Sequence, residues 1–231
     1  IIRPMAQCLA ANNIEGVAGI LNGTTNFILT KMIEDGMTFE DALKLAQDNG
    51  FAEKDPTADI EGFDACRKVC ILASLAFGKH VYPNQVRAEG ITKITLEDVE
   101  YISSAHGVIK LLGQIKKIDD DKITAFVSPA VVFHGSQLAS VNGVFNAILV
   151  RGDAVGDVCF YGAGAGKLPT ASAVVADMVD CAVHVNRRKN FGWGPGSEDY
   201  VVDEKSALEM PFYVRAKATE SEAVALFHNV K

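Results

Sequence analysis

The sequence predicts an α/β fold of the α+β kind, with a mixed, largely antiparallel sheet and helices packed on one face. Helical patterns come first, and strand-like stretches then follow closely enough to pair antiparallel. The 231 residues are 48% hydrophobic and 22% charged, which is typical of a chain that buries a substantial core. Disorder and coiled coil are therefore poor alternatives.

The spacing of apolar residues, together with glycines and helix-capping residues, predicts the helices and strands in chain order. We predict helices over 1–13, 27–33, 38–49, 59–77, 96–105 and from Pro169 onward. We predict strands over 16–21, 108–116, 123–132, 144–151 and 155–161. Gly36 and Gly78 end two helices, and Thr38 with Asp41 begins another. The last helix carries an apolar stripe that we expect in the core: Ala171, Val174, Val175, Met178, Ala182 and Val185.

Three units are predicted along the chain. Residues 1–190 form the main domain, and 191–210 form a linker rich in charge, glycine and turns. Residues 211–231 hold one predicted strand (212–216) and one helix (220–228), which cannot bury a core by themselves. We expect this end to be the start of a further domain. Because the first residue is Ile, the chain is expected to be a piece of a longer polypeptide.

Charge and cysteine content narrow the function classes. The formal net charge is −7, which argues against a phosphate-backbone partner, so no nucleic-acid partner is predicted. No apolar run approaches the roughly 20 residues that span a bilayer, so no membrane partner is predicted either. The five cysteines are odd in number and sparse. We therefore expect buried, reduced thiols and a cytoplasmic location.

The densest cluster of ionisable residues lies between Gly50 and Lys68. Asp59 opens a predicted helix, and Asp64 and Lys68 are four residues apart on one helical face. If these residues line a cleft, the carboxylates can bind a cationic substrate and Lys68 can donate or accept a proton. The spacing alone favours a simpler alternative, an acidic capped helix with a surface ion pair. No metal site is predicted, because no ligand set is completed nearby.

Two glycine-containing turns are further candidates for binding sites. Residues 22–25 end a strand and begin a helix whose N–H groups can bind a small anion, although a well-capped helix is the favoured alternative. The run 162–166 joins a strand to a helix but departs from the Walker and dinucleotide fingerprints. Its glycines either let the backbone approach a cofactor bound mainly elsewhere or form a structural turn.

Three segments resemble the homoserine dehydrogenase family. They are, in chain order, GILNGTTNFILTKM, GFAEKDPTADIEGFDACRKVCILA and GAGAGKLPTASAVVADMVD. The resemblance implies that 1–190 is the substrate-binding and dimerisation domain of an NAD(P)-dependent oxidoreductase. That enzyme family interconverts L-homoserine and L-aspartate 4-semialdehyde for threonine, methionine and isoleucine biosynthesis.

The resemblance also implies roles for individual residues. Lys68 matches the catalytic lysine that shuttles the proton, and Asp64 is expected beside it as a second catalytic residue. The implied substrate-binding residues are Glu53, Asp59, Asp64, Gly23, Thr24 and Phe51. The implied cofactor-binding residues are Gly50, Gly164 and Gly166. The cofactor, NADP or NAD, is expected to bind mainly to a Rossmann domain that this chain lacks, and the intact enzyme is expected to use a monovalent cation.

The implied partners are a small amino-acid substrate and further copies of the chain, as a homodimer or larger homo-oligomer. Residues 211–231 resemble the truncated start of an ACT regulatory domain. We expect the isolated chain to be inactive. Two alternatives stay open: a non-catalytic amino-acid-binding or dimerisation module, and the substrate domain of another two-domain dehydrogenase.

Overall fold

The computed structural model describes residues 1–186, 192–217 and 219–226. The strands are β1 (Ile14–Ile20), β2 (Arg87–Ala88), β3 (Gly107–Lys117), β4 (Ile123–Phe133), β5 (Phe145–Gly152) and β6 (Gly156–Ala163). They form one sheet in the order β2-β4-β3-β1-β5-β6. Neighbouring strands are antiparallel except for the parallel pair β2–β4. This confirms the predicted fold class.

The helices end where local signals place their caps. They are α1 (Gly23–Asp35), α2 (Phe39–Asp48), α3 (Thr57–Ile60), α4 (Phe63–Phe77), α5 (Leu96–Ser104), α6 (Lys167–Val183), α7 (Glu204–Ala207) and α8 (Glu220–Leu226). The Thr38 hydroxyl accepts a hydrogen bond from the Asp41 N–H at 3.2 Å and caps α2. Gly36 and Gly78 end α1 and α4 with φ of +65° and +72°. These three predictions are confirmed.

The main core lies between one face of the sheet and helices α1, α2, α4 and α5. Ile28 of α1, Val69 of α4 and Ile109 of β3 are buried in it. A smaller apolar cluster lies on the opposite face of β3, where Leu112 packs with Val141 from the loop before β5. Because both faces of β3 are covered, this strand is buried over most of its length.

The single helix predicted over 59–77 is wrong. The chain forms α3 and α4 instead, because Gly62 adopts φ of +81°, a left-handed conformation that interrupts the helix. The Ile60 carbonyl accepts a hydrogen bond from the N–H of Ile91 at 2.8 Å rather than from a continuing helix. The break therefore serves the packing of the loop at Ile91 against the end of α3.

The two ends of the chain also differ from prediction. The N-terminal helix covers only residues 2–8 of the region expected to be helical over 1–13, and Pro4–Cys8 within it form a π-helical segment. No strand forms over 212–216, because side chains rather than backbone groups hold this stretch: the Tyr213 hydroxyl donates to Asp98 at 2.9 Å. Helix α8 matches the start of the predicted helix 220–228, whose last two residues lie outside the described chain.

Residues 192–208 lie against the main domain. Tyr200 and Glu204 are each 3% exposed, and the Arg87 Nε atom lies 2.5 Å from a Glu204 carboxylate oxygen. A short parallel bridge joins Lys79 to Gly194. The division at 190 and 210 stays a prediction.

The apolar stripe of α6 is not buried, so the expectation of a core position is wrong. None of the residues of α6 is buried, and Val174 and Met178 are 54% and 65% exposed. No element in the described part of the chain covers this face. All five cysteines are free. The expectation of buried thiols is confirmed for Cys66 and Cys70 of α4 and is wrong for the exposed Cys8, Cys159 and Cys181, which lie in the N-terminal segment, in the edge strand β6 and in α6.

Candidate functional site

Lys68 lies in the second turn of α4, where two oxygen atoms hold its ammonium group. The Nζ atom donates to a carboxylate oxygen of Asp64 at 2.7 Å and to the carbonyl of Leu21 at 2.9 Å. The Asp64–Lys68 pair has the i,i+4 spacing predicted from the sequence. An ammonium has three N–H groups, so one remains available for a ligand. The Lys68 side chain is 48% exposed, which leaves it accessible from solvent.

Asn22 connects this pair to Asp59. Its Nδ2 atom donates to Asp59 Oδ1 at 2.7 Å and to Asp64 Oδ2 at 2.9 Å. Its Oδ1 atom accepts a hydrogen bond from the Thr25 N–H at 2.9 Å and caps α1. Asn22 is absent from the predicted site residues, because an asparagine before a helix signals only a cap. Its contacts with the aspartates follow from the tertiary fold.

The start of α1 contacts the loop after α2. The Thr24 hydroxyl donates to the carbonyl of Phe51 at 2.7 Å, and the Phe51 ring packs edge-on against Phe27 with ring centroids 5.0 Å apart. Gly23 leaves no room for a side chain, since an added Cβ would lie 2.7 Å from the Val144 carbonyl oxygen. The structure therefore brings Gly23, Thr24 and Phe51 to the same region as Asn22.

Glu53 and Gly50 lie in or beside the same loop, at its outer side. Gly50 follows α2 with φ of +74°, and both residues are exposed. The Glu53 backbone carbonyl accepts a hydrogen bond from Gln47 at 3.1 Å. No side chain among residues 1–186, 192–217 and 219–226 pairs with the Glu53 carboxylate. The structure thus does not join Glu53 to the cluster at Lys68.

The glycine run before α6 is tied to the end of β1. An added Cβ at Gly164 would lie 2.3 Å from the Asn146 side-chain oxygen. The Asn146 amide in turn donates to the Ile20 carbonyl at 3.0 Å, two residues before Asn22. Gly166, with φ of +109°, is the residue that precedes α6. This chain of contacts puts the run at the same end of the sheet as Asn22.

A buried lysine lies between the first turn of α1 and the loop before β5. Lys110 of β3 is 0% exposed, and its Nζ atom donates to the Val141 carbonyl at 2.6 Å, to Asn142 Oδ1 at 2.9 Å and to Asn26 Oδ1 at 3.2 Å. Burial lowers the pKa of Lys110 to about 8, and the nearby Glu34 opposes this with a smaller effect. These contacts join the first turn of α1 to the loop before β5.

The arrangement is suited to a small zwitterion. Asp59 and Asp64 carry two negative charges and Lys68 one positive charge, so the cluster has a net negative charge that favours an ammonium group. The first turn of α1 adds backbone N–H groups that favour a carboxylate.

No group of three or more His, Cys, Asp or Glu able to hold a metal ion occurs in the described ranges. No helix of those ranges is long and apolar enough to cross a membrane.

The fold and the site together define a class: an α/β domain that carries a solvent-accessible lysine–carboxylate cluster beside the start of a helix. Comparison with known proteins then identifies the family. The family model for homoserine dehydrogenase matches residues 1–179. Homoserine dehydrogenase of Pseudomonas aeruginosa is 42% identical over 230 residues, which cover 97% of this chain and 53% of the relative.

Solved structures agree. The crystal structure of a homoserine dehydrogenase from Thiobacillus denitrificans matches with a TM-score of 0.78 and 43% identity, over 87% of this chain and 47% of that one. A hyperthermophilic archaeal homoserine dehydrogenase mutant in complex with NADPH matches with a TM-score of 0.65 and 30% identity, over 79% of this chain and 52% of that one. The chain belongs to the homoserine dehydrogenase family and spans about half the length of these relatives.

Proposed function

We propose that this chain is the substrate-binding part of an NAD(P)-dependent enzyme that interconverts L-homoserine and L-aspartate 4-semialdehyde. The observation that carries the proposal is the position of Lys68, held by Asp64 and the Leu21 carbonyl beside a second carboxylate, in a chain of this family. A module that only binds an amino acid has no need for an accessible ammonium at that point.

The substrate is proposed to bind through its two charged ends. Its ammonium group contacts Asp59 and Asp64, and the exposed Glu53 carboxylate, which lies outside this cluster, is proposed to turn toward the ammonium when the substrate binds. Its carboxylate is placed at the start of α1 beside Gly23 and Thr24. Phe51, 42% exposed and packed on α1, is placed to exclude water from one side.

Lys68 is proposed to move the proton. In the reducing direction, NAD(P)H supplies a hydride to C4 of the aldehyde when it is bound. The Lys68 ammonium donates a proton to the carbonyl oxygen, which becomes the hydroxyl of homoserine, and the neutral amine then recovers a proton from solvent. In the oxidising direction, the neutral Lys68 amine accepts the hydroxyl proton. Asp64 holds the lysine in place in both directions.

The glycines of this chain fit one end of a cofactor. Gly50 is exposed with open space around its α carbon, and the exposed Gly164 has no room for a side chain. With Gly166, these residues are proposed to contact the nicotinamide end, which supplies the hydride. The archaeal relative in complex with NADPH supports a nicotinamide cofactor. The proposal covers NADP and NAD alike.

We also propose that the enzyme is a cytoplasmic homodimer or larger homo-oligomer. Exposed apolar side chains on α6 and β6, such as Met178 and Tyr161 at 65% and 61%, are typical of surfaces that another chain or domain covers. The five free cysteines are compatible with a reducing compartment.

The proposed function is tested by replacing Lys68 with alanine. Because the chain spans half of its relatives, turnover is measured in the full-length polypeptide and homoserine binding by calorimetry in this chain. We expect homoserine-dependent formation of reduced nicotinamide in the wild type, and a loss of about a hundredfold or more in Lys68→Ala. Lys44→Ala is the control, since Lys44 forms an ion pair of the same i,i+4 spacing, in the reverse order, with Asp48 on α2.

Two results would contradict the proposal. Homoserine binding without turnover in the wild type would favour the amino-acid-binding module. Turnover that Lys68→Ala leaves at the level of Lys44→Ala would remove Lys68 from the chemistry.

A further inference from the structure

The Asn22 side chain makes three polar contacts at the centre of the site. It bonds Asp59 at 2.7 Å, Asp64 at 2.9 Å and the Thr25 N–H at 2.9 Å. We propose that Asn22 is a positioning residue for the reaction: it fixes both carboxylates and, through Asp64, the Lys68 ammonium. This inference rests on the proposed function and adds a residue to it.

The orientation of the Asn22 amide is determined by its neighbours. The Thr25 N–H belongs to the first turn of α1 and needs an acceptor, so the side-chain oxygen of Asn22 must face the helix. Both N–H groups of the amide then point to the carboxylates, which when ionised accept hydrogen bonds and cannot donate them. Asn22 is 6% exposed, so water does not compete easily for these bonds. One side chain therefore joins α1 to α3 and α4.

The chemistry of an amide suits this position better than other polar groups. A neutral donor holds the two carboxylates together without cancelling the negative charge that attracts the substrate ammonium. Lysine in its place would neutralise that charge, and aspartate would add a third negative charge beside Asp59 and Asp64. Serine would cap the helix equally well but is too short to bridge two acceptors.

Asn22 also determines where Lys68 lies. The ammonium has two acceptors, the Asp64 carboxylate and the Leu21 carbonyl. Asn22 donates a hydrogen bond to Asp64 and directly follows Leu21 in the chain. The positions of both acceptors of Lys68 therefore depend on the position of Asn22. A shift of Asn22 moves the proton donor relative to the reacting oxygen.

The test separates the capping role of Asn22 from its bridging role. Asn22→Ser keeps a good helix cap and loses both amide donors. In the full-length polypeptide we expect kcat/KM to fall by about tenfold to a hundredfold, with a fall in kcat. The unfolding midpoint should fall by roughly 5 °C, because two hydrogen bonds to carboxylates are lost while the helix cap is kept, so kcat is measured well below that midpoint. Asn22→Asp should lose more activity, because its added charge repels both carboxylates.

A cap at a distant helix provides the matched control. Thr38→Ala removes the cap of α2, so it lowers stability without touching the site. We expect it to keep the kcat/KM of the wild type. Wild-type kcat/KM in Asn22→Ser, or an equal loss of kcat/KM in Thr38→Ala, would overturn the positioning role.

A second measurement does not depend on turnover. In the wild-type chain, the two side-chain amide protons of Asn22 should exchange slowly with solvent in nuclear magnetic resonance spectra, because both are bonded. Rapid exchange would overturn the bridge itself. Slow exchange combined with a wild type that does not turn over homoserine would overturn the proposed function, and with it the role of Asn22 in that reaction.

Discussion

Replacing Lys110 with methionine removes a buried ammonium while keeping an unbranched side chain of similar length. In the wild type this group is fully buried and bonds three neutral oxygen atoms, those of Val141, Asn142 and Asn26. The carboxylate of Glu34 acts on this ammonium from α1, where it accepts a hydrogen bond from Asn142. The variant therefore isolates the effect of burying a lysine charge.

The sign of the expected pH dependence follows from the lowered pKa. Below about pH 8, Lys110 is protonated in both the folded and the unfolded chain, and the folded chain carries the cost of burying the charge. Between about pH 8 and pH 10.5, only the unfolded chain holds the proton. The free energy of unfolding of the wild type should therefore rise with pH across this interval, relative to Lys110→Met.

The size of the rise follows from the two pKa values. The difference between 10.5 and about 8 corresponds to about 3 kcal/mol at about 1.4 kcal/mol for each pH unit. About 2 kcal/mol of this falls between about pH 7 and about pH 9.5, the accessible part of the interval.

Urea denaturation of both proteins across that pH range measures the difference directly. Lys116→Met, an exposed position on the same strand, controls for the loss of a positive charge. A difference between wild type and Lys110→Met that stays constant with pH would refute the reasoning, and would mean that the three hydrogen bonds offset the cost of burial. If the free energy of unfolding changes with pH in Lys110→Met as it does in Lys116→Met, the pH dependence would follow from the change in net charge and not from burial.

Two further changes test the packing around the site. Gly62→Ala should lower the free energy of unfolding by about 1–3 kcal/mol, because φ is +81° and the added Cβ lies 3.3 Å from a Val127 methyl carbon. Gly36→Ala, at φ of +65° with open space around the added Cβ, should lower the free energy of unfolding by less in the same urea titration. An equal loss in both variants would show that contact with Val127 adds nothing to the strain at Gly62. Arg87→Met leaves the buried Glu204 without its partner and should cost about 3 kcal/mol by urea denaturation. A cost below about 1 kcal/mol would show that solvent reaches this carboxylate.

Features that depend on neighbouring residues could be predicted from the sequence. The cap at Thr38 and the helix ends at Gly36 and Gly78 are local signals, and the structure has them where expected. The Asp64–Lys68 pair is equally local, since four residues on a helix bring the side chains to one face. The ion pair at the centre of the candidate site is therefore predictable from local spacing, whereas its assignment to a site rests on the family resemblance.

Features that depend on contacts between distant residues could not be predicted. Asn22 lies 37 and 42 residues from the two aspartates that it bonds. Lys110 resembles any strand lysine until the loop at Val141 covers it. The stripe of α6 shows the opposite error: its apolar periodicity predicts burial, but no element of the described residues packs on it, and periodicity alone carries no information about tertiary contacts.

The break between α3 and α4 explains how one side chain reaches both aspartates. Successive residues of an α-helix are rotated by about 100°, so Asp59 and Asp64 would point about 140° apart on an unbroken helix. Asn22 nevertheless bonds both, at 2.7 and 2.9 Å, which the helix predicted over 59–77 does not allow. The left-handed conformation of Gly62 turns the chain between them. The residue that made the helix prediction fail is thus the one that brings the two carboxylates together.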